Sequence, residues 1–119
     1  MVIDDSVTIR TSVELVLKNL DYTVTHAQNG VEALEKIGKI KSDGNEIAIC
    51  ITDVNMPVMD GITFVNEFRK TDKFTPVLML TTESEEDKIK AGKDAGASGW
   101  LVKPFQSEQL SDVVTKLIK

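Results

Sequence analysis

Cys50-Ile-Thr-Asp-Val-Asn-Met-Pro-Val-Met-Asp-Gly61 continues the apolar run Ile47-Ala48-Ile49 and breaks into polar residues at Thr52-Asp53. A short apolar, β-branched run bounded by breakers has the pattern of a strand buried on both faces of a parallel sheet. Asp53 therefore stands at the carboxyl end of that strand, the edge at which open α/β sheets bind ligands. Pro57 then interrupts regular structure, and Asp60-Gly61 turns the chain into a helix.

Outward from this stretch, five short apolar runs alternate with five helix-period segments. Met1-Val2-Ile3 forms a first strand ending in Asp4-Asp5, short enough that the natural chain is expected to begin a few residues earlier. Ser6 caps a helix whose inner stripe is Val7, Val13, Val16, Leu17 and Leu20. Tyr22-Thr23-Val24-Thr25 is predicted as a thin edge strand ended by the polar His26. Asn29-Gly30 opens a helix carrying Val31, Leu34 and Ile37, and residues 41–46 are a polar loop. The central strand spans 47–52, followed by a helix with Ile62, Val65 and Phe68 inward.

Pro76 to Leu80 is the fourth strand and ends in Thr81-Thr82. A helix starting at Ser84-Glu85-Glu86-Asp87 places acids at its positive dipole end. Ile89 is its only large apolar residue. Such a helix either is weakly anchored, a candidate for movement or for meeting a partner, or uses Ala91, Gly92, Ala95 and Gly96 for close packing on the sheet. Ala97 to Val102 is the fifth strand, ending in Lys103-Pro104. The last helix has the cleanest stripe: Leu110, Val113, Val114, Leu117 and Ile118.

Strict β–α alternation gives parallel strands with right-handed crossovers and helices on both faces of one sheet. In the order 2-1-3-4-5, strands one and three adjoin at the switch point where a crevice opens. Asp4, Asp5, Asp53, Thr81 and Lys103 all end strands and are expected to converge there.

The 119 residues suit one domain, 1–119. A hydrophobic content of 41% with 28% charged residues is that of an ordinary globular domain. No apolar stretch approaches the roughly 20 residues of a membrane helix. The net charge of −5 argues against a nucleic-acid surface in this domain. Cys50, the single cysteine, reads as a small buried hydrophobe in a reducing cytoplasm.

Three converging carboxylates repel one another unless one keeps a proton or a cation sits among them. Hard oxygen donors suit Mg²⁺, while zinc is disfavoured because Cys50 lies within the strand and His26 has no partnering ligand nearby in sequence. With a lysine and a hydroxyl added, phosphoryl transfer onto Asp53 is the best-matched chemistry. A purely structural acidic patch is the alternative. Ser6 reads as a cap, Met56 and Met59 as loop fillers, and Phe64, Phe68 and Phe105 as core or near-core rings.

Four motifs in order, Asp4-Asp5-Ser6, Asp53 to Pro57 with Met59-Asp60-Gly61, Leu80-Thr81, and Gly96 to Phe105, closely resemble the receiver domains of two-component response regulators. The resemblance runs the whole length and is greatest to the single-domain chemotaxis, CheY-like type. It implies a flavodoxin-like (βα)5 fold, the strand order for which CheY is a standard example. It implies Asp53 as phospho-acceptor from the phosphohistidine of a sensor histidine kinase. Mg²⁺, for which Mn²⁺ can substitute, would be held by Asp5 directly, Asp4 through water, Asp53, and the Asn55 backbone carbonyl. Lys103 would contact a phosphoryl oxygen, and the Lys103–Pro104 bond would be cis. Thr81 and Trp100 would form the switch, while Asn55 and Glu83 would tune the lifetime of the phosphoryl group. The output implied is binding a downstream protein through helix four, strand five and helix five, with the flagellar motor switch a candidate, by a monomeric cytoplasmic protein without nucleic-acid or membrane contacts.

Two residues depart from the usual pattern. Relatives usually carry Tyr or Phe where Trp100 stands, so a larger ring must turn inward, and a smaller residue where Thr82 stands, so access to Asp53 narrows. Trp100 could instead anchor a partner without switching. Other readings are a receiver cut from a larger regulator or phosphorelay, and a small phosphohydrolase with Asp53 as covalent nucleophile. A flavodoxin-like cofactor binder is weak, because no phosphate loop follows the first strand.

Overall fold

A computed structural model describes residues 1–82 and 86–118. The order is β1 (Val2–Ile3), α1 (Val7–Asn19), β2 (His26–Ala27), α2 (Gly30–Ser42), β3 (Cys50–Asp53), α3 (Gly61–Arg69), β4 (Val77–Thr81), α4 (Glu86–Ala95), β5 (Gly99–Val102) and α5 (Ser107–Ile118). All pairings are parallel, in the sheet order β2-β1-β3-β4-β5. This is the flavodoxin-like (βα)5 arrangement anticipated above, with its switch point between β1 and β3.

The sheet separates two apolar layers. One gathers Ile3, Cys50, Phe64, Phe68, Val77 and Met79, and the other Val2, Val13, Ile51, Leu78, Leu80 and Leu110. Residues alternate between these layers along β3 and β4, as side chains on a pleated strand must. The central strands are buried on both faces, which is why they read as unbroken apolar runs. Phe64 and Phe68 stack with centroids 5.6 Å apart and supply the largest buried rings under α3.

Caps set where the helices begin. The Ser6 hydroxyl accepts from Ile9 N, Asn29 Oδ1 from Glu32 N, and Asp60 Oδ1 from Thr63 N. Each satisfies an otherwise orphaned amide of the first turn, an arrangement worth about 1 kcal/mol. Gly61 follows its cap because a Cβ there would lie 2.1 Å from the Asp53 carbonyl oxygen.

Several boundaries differ from those expected. The second strand is His26–Ala27 rather than Tyr22 to Thr25. Val2 N bonds to Thr25 O and Asp4 N to Ala27 O, so pairing begins where the Tyr22 segment ends. Tyr22 and Val24 instead cover the end of α1 and the α5 layer as loop residues. Val7 and Val31, expected on inner stripes, are exposed. The stripes that face the sheet are Arg10, Val13, Val16 and Leu17 on α1, and Gly30, Ala33 and Ile37 on α2. Phe64 joins Val65 and Phe68 inward on α3, while Ile62 is only partly buried. Helix α4 takes the close-packing option at Gly92, which is buried where a Cβ would meet Met79 Sδ at 2.8 Å and Trp100 Cζ3 at 3.1 Å. The expected start of α4 at Ser84-Glu85 lies outside the described residues.

Candidate functional site

Strands β1, β3, β4 and β5 end at one edge of the sheet, and their polar termini meet there. Asp4 follows β1 and is 1% exposed; Asp53 ends β3 and is 9% exposed. Asp5 is exposed beside them. Oxygens of the three carboxylates lie within 4.8 Å of one another, the one such acidic cluster among the described residues. Lys103, one residue past β5, reaches back with Nζ 3.0 Å from Asp53 Oδ1 and 3.2 Å from Asp4 Oδ2. The Lys103–Pro104 peptide is cis, as expected. Thr81, 1% exposed, ends β4 one step beyond Leu80, the register partner of Asp53. The expected convergence of Asp4, Asp5, Asp53, Thr81 and Lys103 at one edge is therefore met.

Local structure holds these groups in place. Ser6 N donates to Asp4 Oδ1 at 2.8 Å, and the buried Arg10 guanidinium donates to the Asp4 carbonyl. Thr52 Oγ1 donates to the Asp53 carbonyl at 3.0 Å, and Lys103 N to Thr81 O at 2.7 Å. Val58 adopts φ +68° between Pro57 O and Met59 N, which are 2.7 Å apart. A β-branched residue is uncommon in that region, and the tight turn folds the 54–60 loop back beside Asp53.

Electrostatics in the crevice are one-sided. Two ionised carboxylates 4.8 Å apart repel by about 3.5 kcal/mol at an effective dielectric near 20. Burial, and then the Asp4 charge, raise the Asp53 pKa above its ordinary value although Lys103 pulls it down. Burial lowers that of Lys103, but its bonds to Asp53 and Asp4 outweigh this and leave it raised. One lysine offsets only one of three carboxylates. The remaining donors are hard oxygens at a spacing a small divalent cation spans, so the residues fit Mg²⁺.

Other anticipated residues fall as follows. Asn55 is exposed at the crevice rim, where its Oδ1 accepts from Lys88 Nζ of α4. Trp100 sits on β5 in register with Met79, and both lie on the sheet face that Thr81 shares by alternation. Its ring is partly buried beneath Gly92. Glu83 lies outside the described residues. His26 Nε2 is 3.3 Å from Glu14 Oε2 and joins no group of three or more metal-type ligands among the described residues. A cleft of about 390 Å³ opens at the other end of the sheet between Met1, Tyr22 and Ile47 and contains none of these acids.

Sequence reasoning missed Arg10 and Lys88. Arg10 is 8% exposed, and its position three residues before Val13 on the α1 stripe was the available signal. Nothing in the sequence pairs Lys88 with Asn55.

Comparison with known proteins agrees with this geometry. Residues 1–115 match the family described as response regulator receiver domain. Chemotaxis protein CheY1 of Helicobacter pylori is 36% identical over 116 residues, covering 94% of this chain and 90% of its own. Sensor histidine kinase CheAY of the same organism is 36% identical over 122 aligned positions, and this chain spans 15% of its length. The structure of chemotaxis response regulator CheY4 of Vibrio cholerae superposes with a TM-score of 0.84 at 43% identity, covering 98% of this chain and 94% of that one. A putative response regulator from Chloroflexus aurantiacus gives 0.88 at 35% identity, covering 98% and 93%. The chain belongs to the response regulator receiver domains, a family of phosphoryl-accepting signalling switches.

Proposed function

We propose that this receiver accepts a phosphoryl group on Asp53 from a phosphohistidine of a sensor histidine kinase and thereby changes its affinity for a downstream protein. The observation that carries the reading is the gathering of Asp4, Asp5, Asp53 and Lys103 in one crevice, with carboxylate oxygens within 4.8 Å and Lys103 Nζ 3.0 Å from Asp53. An Asp53 carboxylate oxygen forms the new bond to phosphorus while the phosphorus–nitrogen bond of the donor breaks, its electron pair leaving with the imidazole. Lys103 neutralises charge on a transferred oxygen. Asp4, Asp5, Asp53 and the Asn55 carbonyl are the groups that would hold Mg²⁺, or Mn²⁺ in its place. When bound, that ion supplies charge neutralisation on the phosphoryl oxygens.

Thr81 is the proposed hydroxyl partner of the phosphoryl group, and Trp100, on the same sheet face, the ring that follows it. This pair is the two-state element that phosphorylation biases. Thr82 narrows the approach to Asp53, and Asn55 with Glu83 sets how long the acyl phosphate survives. The protein is not an enzyme for another substrate: it catalyses its own phosphorylation and dephosphorylation. We place it in the cytoplasm as a monomeric unit, residues 1–119, with the α4–β5–α5 face as output surface. Similarity to CheY1 and CheY4 supports chemotaxis, with the flagellar motor switch as candidate target. Similarity to part of the kinase CheAY supports a phosphorelay or a larger regulator as second reading.

Incubation with acetyl phosphate and Mg²⁺ should add one phosphoryl group, read by intact mass, and Asp53→Asn should take up none. Equal labelling of the substituted protein removes the assignment. Beryllofluoride with Mg²⁺ should change the emission of Trp100, the single tryptophan. Unchanged emission and quenching argue against a moving ring.

A further inference from the structure

Arg10 is 8% exposed on the sheet-facing stripe of α1, yet among the described residues it forms no ion pair with a carboxylate. Its Nη1 donates to the main-chain carbonyl of Asp4, and its Nε is buried without a hydrogen-bond partner. A buried guanidinium with a neutral acceptor and an orphaned N–H is a costly way to fill a core position. An apolar chain of similar volume often leaves a protein as stable or more so. What the charge does for the molecule is therefore to be sought at Asp4.

The carbonyl it holds belongs to the peptide joining Asp4 to Asp5. A peptide unit is planar, so fixing its oxygen also sets the plane that carries the Asp5 nitrogen and Cα. The three carboxylates of the crevice differ in what else holds them. Asp4 accepts from Ser6 N and pairs with Lys103, and Asp53 pairs with Lys103 as well. The exposed Asp5 carboxylate has no hydrogen bond or ion pair among the described residues. Its direction is inherited from the main chain, and Arg10 is the side chain that grips the main chain there.

We propose that Arg10 is a positioning residue for the divalent cation: by fixing the Asp4–Asp5 peptide it aims the Asp5 carboxylate into the crevice and so sets how tightly Mg²⁺ binds. The inference rests on Asp5 being a metal donor, as proposed above. Mg²⁺ accepts little departure from octahedral geometry, whereas the larger Ca²⁺ tolerates irregular shells, so a loosened donor costs Mg²⁺ more. The charge of Arg10 acts in the opposite sense. A guanidinium near the acids repels an incoming cation, and its loss through charge alone would tighten both ions alike. The sign and the ion dependence of the change separate positioning from electrostatics.

The test is titration calorimetry of the full chain with Mg²⁺ and, separately, with Ca²⁺, and it needs no phosphoryl donor. Arg10→Met should bind Mg²⁺ about tenfold more weakly, the lower end of what losing an outer-shell partner costs a metal site. Its loss of Ca²⁺ affinity should stay within about threefold, because that ion adapts to a displaced donor. Arg10→Lys, which keeps the charge and can still donate to the carbonyl, should recover most of the Mg²⁺ affinity. Urea unfolding of Arg10→Met in chelator should remain cooperative with a midpoint close to wild type, so that the lost affinity is not lost fold. Unchanged or tighter Mg²⁺ binding in Arg10→Met, equal losses for the two ions, or failure of that variant to fold in chelator each overturns the inference while leaving Asp53 as acceptor. Absence of Mg²⁺ binding by the parent protein overturns the metal site of the proposed function itself, and the Arg10 role falls with it.

Discussion

Asp5→Asn preserves side-chain size and removes one negative charge from the crevice. Its oxygen lies within 4.8 Å of those of Asp4 and Asp53. At that separation each ionised pair costs about 3.5 kcal/mol at an effective dielectric of 20 and about 0.9 kcal/mol in bulk water. Asp5 is exposed, so the lower figure governs. Two such pairs, discounted for solvent screening, leave about 1–2 kcal/mol. In a chelator the variant should therefore be the more stable protein by that amount, measured by urea unfolding through Trp100 emission. In Mg²⁺ the order should reverse. Wild type gains about 2.7 kcal/mol at a hundredfold excess over its dissociation constant, and the variant, lacking one donor, gains less. The difference in chelator should shrink in about 1 M monovalent salt, where the Debye length falls to about 3 Å. A variant less stable than wild type in chelator, or stabilised equally by Mg²⁺, would refute the shared-site account.

Three further outcomes follow from the same geometry. Asp53 binds its proton more tightly folded than unfolded, so its contribution is present below its unfolded pKa near 3.8 and lost as pH rises through the folded value. Against Asp53→Asn, wild type should lose stability as pH climbs above about 4 and passes through the folded value, and parallel unfolding midpoints over that rise would contradict this. Gly61→Ala drives a Cβ into the Asp53 carbonyl at 2.1 Å, against backbone that cannot move aside. It should cost at least about 2 kcal/mol in urea unfolding and slow uptake of the phosphoryl group. Gly92→Ala meets Met79 and Trp100 at 2.8 and 3.1 Å, so α4 or the indole must shift. A change in Trp100 emission without phosphorylation is expected, and an unaltered spectrum would mean that α4 is not seated on the ring.

Tertiary context moved what sequence pattern placed. Tyr22 to Thr25 has the composition of a strand, yet the pairing partners of β1 are His26 and Ala27. Edge strands this short are set by the backbone bonds their neighbour offers, which β propensity does not encode. Val7 and Val31 fit a helical stripe by spacing but stand in the first turns of α1 and α2, where they are exposed. The charge of Arg10 argues for the surface, whereas its guanidinium is buried and donates to the Asp4 carbonyl.

The order of elements, the parallel sheet and the identity of Asp4, Asp5, Asp53, Thr81 and Lys103 were legible from sequence alone. Each ends an apolar run, and strict β–α alternation sends every such end to the same edge. Distances and partners were not legible. Which cation neutralises which acid, the seating of Trp100 against Gly92, and the reach of Lys88 to Asn55 depend on contacts between separate segments of the chain. Local periodicity carries no information about those contacts, because they form only when two helices and a sheet pack into one arrangement.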